Sequence, residues 1–525
     1  MFRKIISILK ESFSSPHLIT TIISSCLFLA AVSLFDKTLA VGVVFIVFLT
    51  ATTFLILKKI GFKTKTVYIL FLIAFLIHIG TVFFVHYTGF QPFSGGAGDY
   101  SEYDVVARQI SERIRQGNFS LQGLDVGHNY PVILGYIYTL TLPQAFIGQM
   151  FNAWLVALLV IFVYLTVMEI GGSKKEAFLA GLIVSIYPSL LFFGSLLLKD
   201  ALVVLLCSIA LLAILKLLKA FSWLKFLIFY IALGVLFHFR LYIATTALLT
   251  FIVCWFLFSN LKIKKRLIYG IIIIILLGFL PNISGGTSNG SGYFGINFMK
   301  AFINQKMITY YREFLAVANP EVPPTTEPPV IVEPSVAAEP SVAAEPSVAT
   351  EPSVATEPSV ATEPSVATEP SVATEPKPSG FTDNPITKRG RGSNVIVKTG
   401  FENPFTFLKN SLTSFIYASL GPFPWQMRYL RHFLILPETI LLYFSIFFII
   451  KGIKKPIRSH AFTLLFFSIL LLSVLSVFIA NFGITTRIRI PAFISLFCLA
   501  PLGINWASNN KIVKFFSKKL DFLTT

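Results

Sequence analysis

Asp99, Tyr100, Glu102, Tyr103 and Asp104 crowd into the stretch GDYSEYDVVA, a polar island between long apolar runs. Carboxylates grouped beside membrane-like segments can form a reactive or binding surface, or can do no more than begin a helix. Asp99 with Glu102 three residues later has the spacing of a capping box, with Asp in the place of the usual Ser or Thr. On a helix running from Tyr100 to about Gln116 and ended by Gly117, Asp99, Glu102, Tyr103 and Val106 share one face and Asp104 points elsewhere. Asp99 and Asp104 are therefore not an obvious carboxylate pair, and from spacing alone capping is the preferred reading. The cations that could answer these carboxylates are Lys199, Arg240, Arg487 and Arg489, each at the end of an apolar run. An arginine grips an oxyanion in a bidentate fork, whereas a lysine acts as a point charge. The bland alternative for each is a side chain that snorkels to the headgroups. Asp200 either holds an acceptor or a divalent metal, or caps a helix beginning at Ala201 with Lys199 as its ion-pair neighbour.

The elements that must position these groups are membrane spans. Of the 525 residues 55% are hydrophobic and 13% charged, well below the roughly 25% charged of a soluble domain. A spanning helix needs about 20 apolar residues. Runs of that kind lie near 17–35, 39–57, 66–86, 146–168, 176–197, 200–218, 223–238, 240–258, 266–281, 432–450, 460–481 and 486–506. The expectation is an all-α polytopic membrane protein of about twelve transmembrane helices. Residues 130–142 and 405–425 contain prolines or polar breaks and are expected to lie on or dip into the outer leaflet. The net charge of +18 resides largely in short Lys-rich loops, which set topology and do not indicate nucleic acid. With both termini cytoplasmic, every alternation obeys the positive-inside rule. The N-terminal MFRKIISILKESF has no convincing cleavage site and is expected to be a retained signal anchor. A multi-pass plasma membrane protein is expected.

The resulting organisation is an N-terminal hairpin (1–65), a transmembrane core (66–281) with a first outer loop (87–145), a second outer loop (282–431) and a C-terminal helical region with a basic tail (432–525). Within the second loop, 333–374 is seven copies of EPSVA(A/T). A proline in every repeat forbids helix and sheet, and too little apolar surface remains for a core. It reads as an extended spacer with a reach on the order of 100 Å. Cys26, Cys207, Cys254 and Cys498 lie in apolar runs without a CxxC spacing, and read as small buried hydrophobes. His78 and His86 share one span without a ligand pattern, so no metal site is read.

Asp99, Tyr103, Ala107, Gly117 and Tyr130-Pro131, in that order, resemble the first outer loop of polyprenyl-phosphate-dependent membrane glycosyltransferases with the C-type (GT-C) fold, the group that includes protein O-mannosyltransferases and aminoarabinose transferases. Tyr187-Pro188 followed by Leu198-Lys199-Asp200 resembles the second outer-loop acidic position of that group, and Thr486-Arg487-Ile488-Arg489-Ile490-Pro491 its arginine-bearing entry to the last core helix. The similarity extends over roughly 66–260 and 400–506. It departs from the family at Tyr100, where an acidic residue often follows the first Asp, and in the repeat.

The resemblance implies inverting sugar transfer from a polyprenyl-phosphate donor to a glycan, lipid or protein acceptor on the extracytoplasmic face. It makes Asp99 the base and Arg487 and Arg489 the preferred phosphate ligands. Glu102, Tyr103, Asp104, Tyr130, Lys199, Asp200 and Arg240 are further candidate substrate contacts. His128, beside Asn129-Tyr130-Pro131, is placed for an acceptor or phosphate contact, though an isolated histidine in a polar loop is more often merely solvated. No cofactor is required by the sequence, and Asp200 is the position left open to a divalent metal. No GxGxxG, P-loop or inner DxD motif occurs, which favours a lipid-carried sugar over a nucleotide sugar. The competing expectations are a lipid-linked saccharide flippase or transporter, a polysaccharide polymerase or ligase, and a surface protein whose spacer is its purpose.

Overall fold

A computed structural model describes residues 36–62, 64–90, 99–124, 126, 129–278, 404–421, 435–453, 458–478 and 482–504, with the single positions 34, 423 and 520. All belong to one compact unit made of Met1–Asn319 and Ser393–Thr525. The repeat, the expected first span and His128 lie outside the described residues. Every described element is a helix: α1 (Lys37–Lys59), α2 (Lys65–Thr88), α3 (Asp99–Arg115), α4 (Tyr130–Leu140), α5 (Ala145–Glu169), α6 (Lys174–Ser185), α7 (Pro188–Gly194), α8 (Asp200–Lys219), α9 (Trp223–Phe239), α10 (Leu241–Phe258), α11 (Ile263–Gly278), α12 (Pro404–Leu420), α13 (Leu436–Gly452), α14 (Arg458–Phe478), α15 (Phe482–Ile488) and α16 (Ile490–Phe497), followed by a 3-10 turn (Ala500–Gly503).

Six of these helices are long and apolar enough to cross a membrane, and seven cross if the bent pair α6 and α7 is one span. Of the twelve expected runs, the one at 17–35 lies almost wholly outside the described residues, and several others make shorter or broken helices. The run at 176–197 bends by 56° before Pro188, which has no N–H to continue the ladder. The run at 486–506 breaks into α15, α16 and the 3-10 turn, with Pro491 and Pro501 near the starts of the last two. The run at 223–238 becomes the 17-residue α9, about 25 Å long against a hydrocarbon core of about 30 Å.

Helix starts follow local chemistry. The Asp36 carboxylate accepts from Thr38 N at 2.7 Å and Leu39 N at 3.2 Å to begin α1. Ser173 and Glu176 form a reciprocal capping box at α6, which satisfies donors that the first turn leaves open. α5 and α8 are the central posts, with 72% and 78% of their apolar windows buried, against 22% for the peripheral α1.

The polar segment between α2 and α5 contains the α3–α4 hairpin. Gly117 (φ 79°) lies just beyond α3 in the left-handed region where glycine carries no penalty. Gly135 lets α4 approach closely, since a Cβ there would lie 2.5 Å from Ile110 Cγ2. Arg115 Nη2 donates to the carbonyls of Tyr138 (2.8 Å) and Thr141 (3.1 Å), closing the C-terminal end of α4.

Candidate active site

Four segments far apart in sequence deliver charge to one place. Asp99 is the first residue of α3, Lys199 and Asp200 begin α8, Arg240 is the single non-helical residue between α9 and α10, and Arg487 lies in the last turn of α15. Arg487 joins them: its Nη2 donates to Asp99 Oδ2 at 3.0 Å and its Nε lies 2.6 Å from Asp200 Oδ2. Arg240 Nη2 reaches the other oxygen, Asp200 Oδ1, at 3.1 Å. The Asp200 side chain is 6% exposed and that of Asp99 48%, so Asp200 is the floor of the cluster and Asp99 its open rim. With Lys199, the group carries one more positive charge than negative, and Arg240 Nε is buried without a hydrogen-bond partner among the described residues. Such a donor is costly unless something accepts from it.

The electrostatics follow from this order. Burial pushes the Asp99 carboxyl upward, but the hydrogen bond and charge of Arg487, aided by Arg240 and Lys199, outweigh it and hold Asp99 below its ordinary value. Burial, then the charge of Arg240, pushes Lys199 down to about 8. Arg240 is held charged against its burial by Asp200. Because an unfolded Lys199 binds its proton more tightly, the folded chain gains stability from this group as pH rises from about 8 to 10.5.

Tyr103 and Tyr130 form the wall behind Asp99, both fully buried, with ring centroids 5.8 Å apart. Burial and then the Asp99 charge raise the Tyr103 phenol. Tyr130, also raised by burial, donates to Asn152 Oδ1 at 2.6 Å. Glu102 is exposed.

Other expected positions stand elsewhere. Asp104 accepts from Tyr138 Oη at 2.7 Å and from Arg108 Nε at 2.8 Å, so it ties α3 to α4. Arg489 is buried, with Nε and Nη2 at 3.0 and 2.6 Å from Glu438 Oε1 and Nη1 donating to the carbonyls of Ala418 (3.1 Å) and Gly421 (2.7 Å). Glu438 also accepts from Ser189 Oγ. Arg489 thus locks α7, α12, α13 and α16 together and does not join Arg487, because residues two apart on a helical path face different ways. Among the described residues no three His, Cys, Asp or Glu side chains converge as a metal would need, and the two carboxylates of the cluster are both engaged by arginine.

Sequence reasoning missed Glu438, Ser189 and Asn152. The signal for two of them was present: Glu438 is a lone carboxylate opening an apolar run, and Asn152 is an amide inside one. Polar groups in such runs are costly unless used.

A bundle of apolar helices with a carboxylate–guanidinium cluster at one end defines a helical membrane protein with a partly buried charged site. Residues 131–284 match the family described as dolichyl-phosphate-mannose-protein mannosyltransferase, a family of the C-type membrane glycosyltransferases that the sequence resembles. The matched segment contains Asn152, Lys199, Asp200 and Arg240, while Asp99 and Arg487 lie on either side of it. Comparison with curated proteins and with solved structures finds no match.

Proposed function

We propose that this protein transfers a sugar from a polyprenyl-phosphate donor to an acceptor hydroxyl, with inversion, on the extracytoplasmic face of the plasma membrane. The observation that carries this reading is Arg487 bridging Asp99 and Asp200 at 3.0 and 2.6 Å with Arg240 behind it. In the proposed reaction the acceptor oxygen attacks the anomeric carbon and passes its proton to the Asp99 carboxylate. The bond from that carbon to the phosphate oxygen breaks, and the phosphate leaves with the electron pair. Arg487, Arg240 and Lys199 receive that charge, and Asp200 holds the two guanidinium groups apart and aimed. While Arg487 grips it, Asp99 is a weak base. A phosphate that draws Arg487 away restores the carboxylate toward its ordinary basicity.

The far end of the bundle supports this choice of face. There Lys219 pairs with Glu169 at 3.2 Å, Asn260 N donates to Leu218 O and Lys225 Nζ to Ala220 O. These contacts gather loops carrying Lys174, Lys175, Lys262, Lys264 and Lys265. Basic loops favour the cytoplasm, which supports an outward-facing cluster. An Asp99→Cys variant with the four native cysteines replaced by Ser should react with a membrane-impermeant thiol reagent in intact cells. Reaction only after permeabilisation would refute the outward face.

Arg487→Ala should raise the KM for the lipid-phosphate donor about 10- to 100-fold, the scale of a hydrogen bond to a charged group, and Arg487→Lys should recover part of it. Unaltered donor saturation in both would remove the contact. Donor affinity should be level below pH 8 and fall as pH rises through about 8, where the free Lys199 loses its proton. Lys199→Met should abolish that slope, and a slope surviving in the variant would assign it to another group.

A further inference from the structure

The turn that presents Lys199 and Asp200 is irregular backbone inside a membrane bundle. α7 ends at Gly194 and α8 begins at Asp200; Lys199 O joins the α8 ladder through Val203 N at 3.0 Å and Leu196 O accepts from Leu198 N at 2.8 Å in a tight turn, while the rest of this short stretch stands outside any helical ladder. In a low-dielectric setting such groups must find donors within the protein. Asn152, fully buried near the start of the central helix α5, supplies them: its Nδ2 donates to Leu196 O at 2.6 Å and to Leu198 O at 2.9 Å. Its Oδ1 accepts from Tyr130 Oη at 2.6 Å. Both amide hydrogens are used, and the Tyr130 ring packs at a tilt against Tyr103, one turn from Asp99. One amide therefore touches two of the segments that carry the cluster, the outer-loop hairpin and the α7–α8 turn.

We infer that Asn152 is a positioning residue, whose three hydrogen bonds set the Lys199–Asp200 turn in register with α3 and α4 so that Asp200 meets Arg240 and Arg487. It touches none of the five charged groups and acts through the Leu196 and Leu198 carbonyls. The inference rests on the proposed reading for its kinetic consequence, but not for its geometry. An aspartate in the same place has the same shape and lacks the paired donors: ionised, it sets an oxygen against two carbonyls; protonated, it can donate to one of them. Tyr130→Phe removes a single hydroxyl and leaves the carbonyl clamp whole.

The test compares purified full-length wild type, Asn152→Asp and Tyr130→Phe in two ways. The first is the rate of Lys199 acetylation by an amine reagent, followed by peptide mass spectrometry. The second is binding of sugar-free polyprenyl phosphate. In Asn152→Asp, Lys199 should acetylate at least about 5-fold faster at pH 8 than in wild type, while in Tyr130→Phe, which loses one of the three bonds and keeps the carbonyl clamp, the rate should rise less than about twofold. Polyprenyl phosphate affinity should fall at least about tenfold in Asn152→Asp and less than threefold in Tyr130→Phe. A folded Asn152→Asp protein with wild-type Lys199 labelling overturns the positioning role, whatever the ligand. If Asn152→Asp does not fold, the same labelling on Asn152→Ser, which keeps one donor, decides: wild-type Lys199 protection overturns the inference. Absence of polyprenyl phosphate binding by wild type overturns the donor reading alone, since the labelling arm does not depend on it.

Discussion

Asp99→Asn should lower sugar transfer by about 10²- to 10⁴-fold, the range that a positioned general base contributes, while insertion and stability stay close to wild type. The amide has the size of the carboxylate and can still accept one hydrogen bond from Arg487. The lost ion pair is half-exposed, and such pairs contribute about 1 kcal/mol at most. The loss should fall on kcat, because the base acts as the acceptor proton is transferred, whereas the donor phosphate is held by Arg487, Arg240 and Lys199. If anything, donor affinity should rise slightly, since Arg487 no longer has to leave a charged partner. Initial rates with a polyprenyl-phosphate sugar check this, and a variant retaining near-normal kcat would remove Asp99 as the base.

Glu438→Ala should be the most destabilising substitution outside the cluster. It leaves the Arg489 guanidinium, whose side chain is 1% exposed, buried without its counter-charge. Breaking a buried pair on one side costs about 3–5 kcal/mol. The two backbone carbonyls and the Phe493 ring 4.9 Å away satisfy hydrogen bonds but do not neutralise the charge. Replacing both members with apolar residues of similar volume, Glu438→Leu with Arg489→Met, should restore much of the stability, because no buried charge then remains. Thermal unfolding in detergent measures both. A Glu438→Ala protein as stable as wild type would show that the pair does not carry the α7, α12, α13 and α16 junction. Activity in the double variant should persist, since Arg489 faces away from Asp99.

The helix positions were largely legible because long apolar runs bounded by charge have few alternatives. The run at 39–57 became Lys37–Lys59, and that at 200–218 became Asp200–Lys219. Lengths were less legible, since averaging over an apolar run conceals what Pro188 and Pro491 do to the backbone inside it. The cluster of Asp99, Asp200, Arg240 and Arg487 could be named residue by residue, but its geometry could not. Nothing in the spacing says that an arginine 388 positions beyond Asp99 is its partner. Arg487 and Arg489 looked equivalent in sequence because both follow one threonine pair. Two positions apart on a helical path, they face different ways, one toward Asp99 and the other toward Glu438. Asn152 and Glu438 show in the sequence as lone polar groups in apolar runs, but a single polar group scarcely changes the hydropathy of its run, and what it does is set by the groups it meets.

The central claim is tested most directly by mass spectrometry of lipid-linked sugars and surface glycans in cells lacking this protein, complemented with either the wild-type chain or Asp99→Asn. The account predicts a glycan modification present with the wild-type chain and missing with Asp99→Asn, together with accumulation of one polyprenyl-phosphate sugar. Unchanged glycans and no accumulated donor in the Asp99→Asn cells would contradict it.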